Sequence, residues 1–230
     1  MKSNRKQVLF TLRRVHDFLN AEARPEPLAT PIRDLAGVIG RLETFGARQE
    51  EHHRRMQLLT TQLQAQGRRV RGVHMRAIIL AARAILPRES QDAIALEHAA
   101  RLPRYKADYE QIVLAARGVA ATTEPYRDQL AAAGLGPDFL TNLLAAADAL
   151  VALVGARALE LERRMAATEG VETEARRGVA LTRFLDVLMR PTLEGNPSRL
   201  VEWERVIRRA RPPQAAELPV APGGESARAA

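Results

Sequence analysis

Apolar side chains recur along most of this chain with a helical period. The longest unbroken case runs from Phe139 to Met165. There Leu140, Leu144, Ala147, Val151, Val154, Ala158, Leu161 and Met165 are separated by alternating steps of four and three. That is a heptad seam, and it predicts one long helix lying along its neighbours in a bundle. Phe139, Leu143 and Leu150 widen the seam on one side, so this helix is expected to face several partners.

Upstream, residues 4–22 place Val8, Leu12, Val15 and Leu19 at helical spacing, and the proline-rich ARPEPLATP that follows ends this first helix. A second helix is expected from Pro31, capped by Thr30, to about Gln66. Ile32, Leu35, Ile39 and Leu42 open its seam and Met56, Leu59 and Leu63 close it, but Gly46, Gln49 and His53 fall on the seam between them. Gly67 is expected to end it. A third helix, with Val70, Val73, Ala77, Leu80 and Ala84 on one face, then runs to Pro87.

Residues 87–103 predict a connection holding a short helix capped by Ser90. From Pro103 to about Ala133, the positions Tyr105, Tyr109, Ile112, Ala116, Val119, Thr123, Tyr126 and Leu130 predict another helix. Pro125 should kink or divide it, with Thr122 or Thr123 recapping the second half. GLGP at 134–137 predicts a left-handed stop and a fresh start. Beyond Met165, Gly170 and Gly178 argue for a new helix from about Thr168 to Met189, buried through Leu181, Phe184, Leu185 and Leu188. Asn196 and Pro197 open a last short helix, which Pro212 and Pro213 end.

The pattern therefore predicts an all-α protein, an up-and-down bundle of four or five long helices with short accessory helices. It should occupy residues 1–211 as one elongated domain, followed by a disordered tail over 212–230. Composition agrees. The 230 residues suffice for a real core, and an apolar fraction of 46% with only 4% aromatics, much of it alanine, suits closely packed helices better than a sandwich of sheets. Cysteine is absent, which excludes disulfides, thiolate metal sites and a cysteine nucleophile.

A net charge of +8 raises nucleic acid or an anionic membrane as a partner. Only three of the 35 basic residues are lysine, however, and arginine paired with abundant alanine is what GC-rich coding does to any surface. No stretch approaches the ~18 uninterrupted apolar residues of a membrane span. The opening MKSNRKQVLF has too short an apolar run for a secretory signal, so a cytoplasmic location without a membrane partner is expected.

Catalytic and metal chemistry finds little support. A carboxylate-bridged di-iron bundle needs two Glu-x-x-His motifs, and only Glu50–His53 has that spacing. If the second and third helices formed a hairpin across Gly67, His53 and His74 would stand roughly 10 Å apart along the axis, too far to share a metal. Gly-x-Ser-x-Gly, Gly-x-x-x-x-Gly-Lys and dinucleotide fingerprints are missing, and the serines lie in tails or at helix starts. No cofactor, metal or catalytic residue is expected.

Two arginine clusters remain. Arg68, Arg69, Arg71 and Arg76 surround the turn after Gly67, and Arg205, Arg208 and Arg209 lie on the last helix. Either suits phosphate contacts, though neither has the aromatic platform of single-strand binders. The plainer account is arginine solvating the bundle ends. Trp203, the only tryptophan, shares a face with Leu200, Val206 and Ile207, which fits either docking onto the bundle or a partner-binding hot spot.

From about residue 103 to 211 the chain resembles a family of bacterial helical-bundle proteins without known activity. The resemblance rests on GPDFLTNLLAAADAL, the TEG break in MAATEGVETEARRG, the Leu185–Asp186 pair, and Asn196–Pro197 ahead of Trp203. It implies a cytoplasmic bundle and brings no ligand or catalytic residue. The functional expectation is a non-enzymatic scaffold or interaction protein that associates with itself or another helical protein. The alternative is a nucleic-acid-associated protein using the arginine clusters.

Overall fold

A computed structural model describes residues 3–21, 28–101 and 108–208. Among these residues there is no strand; the protein is an all-α helical bundle. Its helices are α1 (Ser3–Ala21), α2 (Ala29–Arg69), α3 (Arg76–Ile85), α4 (Gln91–Ala99), α5 (Tyr109–Thr123), α6 (Arg127–Leu130), α7 (Phe139–Leu193) and α8 (Pro197–Arg208). The chain divides into two compact units, residues 1–49 with 166–230 and residues 50–165. Helices α2 and α7, of 41 and 55 residues, contribute to both. The tail expected over 212–230 lies outside the described residues.

The first unit is built on large aliphatic side chains. Leu12, Val15 and Leu19 of α1 and Ile32, Leu35 and Leu42 of α2 meet Val171, Leu185, Met189 and Leu193 of α7 and Trp203 and Val206 of α8. Each fully buried leucine here stabilises the fold by roughly 1.5–3 kcal/mol relative to exposure. The helix expected to begin near Thr168 does not exist, because α7 passes straight through Gly170 and Gly178. Those glycines are sites of close approach rather than breaks. A Cβ at Gly178 would stand 2.4 Å from a Leu12 methyl, and one at Gly170 would stand 2.8 Å from the Phe45 ring. Leu185 is buried as expected, but Phe184 is 52% exposed.

In the second unit, α5 follows the predicted seam. Ile112, Ala116, Val119 and Thr123 are buried, as is Leu130 beyond the break at Pro125. Ser90 caps α4 by accepting from the Ala93 N–H at 3.1 Å. Thr123 does not recap the divided helix, since its hydroxyl donates back to the Val119 carbonyl at 2.7 Å. Gly134 and Gly136 take φ of 102° and 77°, the left-handed stop that GLGP predicted. Helix α5 itself begins at Tyr109 rather than Pro103, and residues 102–107, with Tyr105, lie outside the described residues.

The largest departure is at Gly67. No turn forms there, and the chain runs from α2 through a π-helical segment, Val70–Met75, directly into α3. Gly67 is buried against α5, where a Cβ would meet the Tyr109 ring at 3.4 Å, an ordinary packing distance. A π turn takes an extra residue. The buried positions consequently step from Val70 to Met75, then to Ile78 and Ala82, while Val73 and Leu80 are 60% and 56% exposed. The face predicted from Val70, Val73, Ala77, Leu80 and Ala84 is thus the wrong one. The hairpin assumed for His53 and His74 is also absent.

Candidate association surface

Helix α7 enters the second unit at Phe139, where Phe139, Leu140, Leu143, Ala146, Ala147 and Leu150 are buried against α3 and α5. The residues that widened the predicted seam thus form the core together with the seam residues Leu140 and Ala147, and from Val151 onward the seam turns outward. Leu144, Val151, Leu161 and Met165 are 38%, 47%, 40% and 64% exposed. Ala158 is exposed too, and Val154 half-buried. From Val151 to Met165 the one buried side chain of α7 is Glu160.

Helix α2 explains Glu160. Its inward face here is polar: His52 Nδ1 lies 2.7 Å from Glu160 Oε2, and Thr60 Oγ1 accepts from Arg157 Nε at 3.4 Å. Arg163 Nη1 donates to Glu160 Oε1 at 2.8 Å, with Arg55 at 3.8 Å. The His52 hydrogen bond, helped by Arg163 and opposed by burial, holds the Glu160 carboxyl below the ordinary carboxylate range. Charge in this position is satisfied rather than free, which suits a structural link between two helices. Sequence spacing pointed instead to Glu50 and His53. Glu50 is exposed, and the His53 ring lies 3.3 Å from the Gln57 amide. Among the described residues no group of three His, Asp or Glu side chains is placed to hold a metal ion.

The seam adjoins an apolar cleft of about 280 Å³ walled by Tyr109, Glu110, Val113, Leu114, Val151 and Val154. Leu114 at its lip is 69% exposed. Apolar side chains of α5 and α7 therefore form one continuous exposed surface. An 18-residue stretch of α7 reaches a mean hydropathy of 1.8 and is 33% buried, so one described helix is long and apolar enough to cross a membrane by length and composition.

The predicted contact residues fall in both units. Arg68, Arg69, Arg71 and Arg76 are exposed in the second unit, beside or within the π segment. None of them has a carboxylate partner among the described residues. His74, in the same turn, buries its Nε2 without a hydrogen-bond partner, and burial, reinforced by Arg69, lowers its pKa. Arg205 and Arg208 are exposed in the first unit, with Arg208 3.8 Å from Glu204; Arg209 lies outside the described residues.

Trp203 is not a surface residue. It is 0% exposed, its ring centroid lies 5.2 Å from that of Phe18, and its indole N–H donates to Asp186 at 3.1 Å. A side chain so enclosed cannot serve as a partner contact, and its role is to dock α8. Asp186 of the Leu185–Asp186 pair is thereby explained as the acceptor for the indole. No family model, curated protein or solved structure matches this chain.

Proposed function

We propose that the chain is a non-catalytic helical interaction protein that associates, through a helix face of its second unit, with itself or with another helical protein. One observation supports this above the rest: the α7 seam from Val151 to Met165 has heptad spacing yet leaves Val151, Leu161 and Met165 between 40% and 64% exposed. Apolar side chains at heptad spacing pack well against a complementary helix. An exposed apolar surface of this continuity marks an association site more often than idle surface. This takes the apolar stretch of α7 as facing protein rather than lipid, and the chain as a cytoplasmic bacterial protein of the helical-bundle kind it resembles. Light scattering after size exclusion should give a mass that rises with concentration above 25.4 kDa, or a co-purifying helical protein. A strict monomer with nothing bound would remove the proposal.

A second reading rests on Arg68, Arg69, Arg71 and Arg76, four exposed guanidinium groups lacking carboxylate partners among the described residues. They suit the phosphates of a nucleic acid. Binding should then weaken steeply with salt and drop when Arg68, Arg69 and Arg71 are replaced by alanine. Salt-insensitive or absent binding at low ionic strength would dismiss it.

A further inference from the structure

We infer that the occupant of the α7 seam is a second copy of this chain, docked in parallel, with Arg157 of each copy facing Glu162 of the other. This rests on the association reading above and adds the partner, the orientation and the register.

The seam positions Val151, Val154, Ala158, Leu161 and Met165 repeat every 3.5 residues on average, the period at which two identical helices supercoil. Helix α2 packs beside this stripe rather than over it. Its His52 and Thr60 reach Glu160 and Arg157, which leaves the seam open. A seam that repeats along one helix is self-complementary, and two copies meet through it about a two-fold axis. Ordering cost is small, because α7 is already helical within the fold and no nucleation is required.

Charge fixes the orientation. Arg157 immediately precedes the seam residue Ala158, and Glu162 immediately follows the seam residue Leu161. In a parallel pair the residue before one seam position faces the residue five further on in the second helix, so Arg157 meets Glu162 twice by symmetry. In an antiparallel pair the arginine-bearing flanks face each other and the Arg157–Glu162 contact is lost. Both side chains are available: Arg157 makes only the 3.4 Å bond to Thr60, and Glu162 is exposed with no ion pair among the described residues. Such rim pairs add little affinity and serve to select orientation. The cleft walled by Val151, Val154 and Leu114 offers an apolar recess for side chains of a second helix at the start of the seam.

The chain has no cysteine of its own, so single cysteines report proximity cleanly. Val151→Cys and Met165→Cys would be prepared as separate full-length proteins, oxidised mildly, and examined by non-reducing electrophoresis beside light scattering. Both sites are exposed, so both variants should fold, and circular dichroism checks this. In a parallel pair each variant links to itself, since identical seam positions face each other within disulfide reach. Linkage only when the two variants are mixed would mean an antiparallel pair and would overturn the inference. A dimeric mass without linkage at either site would also overturn it, while leaving association through some other face standing. A monomer at every concentration up to about 1 mM, where association is worth only ~4 kcal/mol, would overturn this inference, and it would remove the association reading as well if no helical protein co-purified. As a second check, Arg157→Glu and Glu162→Arg should each weaken association about tenfold, and the double exchange should restore it. Failure of the double exchange to restore it would disprove the register.

Discussion

Helix α7 has different surroundings in the two units. Between Ala167 and Leu193 it buries Ala167, Val171, Thr182, Leu185, Met189 and Leu193 in the first unit, where α1, α2 and α8 supply Leu12, Leu35 and Trp203 as neighbours. Between Val151 and Met165 its sole buried side chain is Glu160, and α2 brings His52 and Thr60 to it beside Met56 and Leu59, which are only half-buried. A heptad says which residues are able to form a seam. Whether the seam is interior depends on what the other helices bring to it.

The comparison predicts where substitutions hurt. Trp203→Ala removes the side chain that carries α8 into the first unit and leaves Asp186 without its indole donor. A loss of ~3–5 kcal/mol is expected by denaturant unfolding. Hydrogen exchange should show the loss of protection concentrated in α1 and α8. Leu161→Ser, by contrast, alters a side chain already 40% exposed and should leave unfolding within about 0.5 kcal/mol of the parent. If the two variants unfolded alike, the contrast between a closed and an open stretch of α7 would fail.

One substitution made twice on the same helix sharpens the point. Gly178→Ala places a methyl 2.4 Å from a Leu12 methyl and 3.3 Å from Val38, both fully buried, so the core must shift to admit it. Gly155→Ala meets nothing within 4 Å. The first should destabilise by ~1–3 kcal/mol through overpacking. The second should stabilise by up to about 1 kcal/mol, the helix propensity of alanine over glycine. Thermal unfolding of both variants checks the opposite signs.

These glycines also show what the sequence could and could not convey. Amphipathic stripes in α1, the start of α2 and α5 were legible because local spacing and burial coincide: Leu12, Leu35 and Ala116 are all 0% exposed. Glycine was not, because at Gly170 and Gly178 it answers a neighbour distant in sequence rather than a local need for a turn. The site was legible as a seam and misjudged as interior. Burial of Leu144 or Leu161 depends on helices whose placement no local period encodes. The His52–Glu160 contact spans 108 residues, beyond any spacing rule.

The π segment offers a smaller test within the second unit. Val70 and Met75 are both buried five residues apart, and Gly72 between them is exposed, with nothing within 4 Å of where a Cβ would stand. Deleting Gly72 would leave those two core residues four apart, one α-helical turn, with α2 and α3 each keeping its buried face. The deletion should be tolerated within about 1 kcal/mol. Deleting the exposed Thr61 from the α-helical part of α2 should be far worse, since it rotates everything beyond by about 100° relative to its partners.

Acid titration gives the last and smallest effect. Because the Glu160 carboxyl is held below its ordinary pKa, it contributes stability above the ordinary carboxylate range, and that contribution is lost as pH falls through the lowered value. Near neutral pH the parent should melt above Glu160→Gln, and the gap should close on acidification through and below the carboxylate range. The effect belongs to the second unit, where His52 of α2 and Arg163 of α7 itself hold the carboxylate. A gap independent of pH would mean that Glu160 acts through shape and neutral hydrogen bonding. The open stretch of α7 would then owe its pairing with α2 to packing after all, as the first unit does.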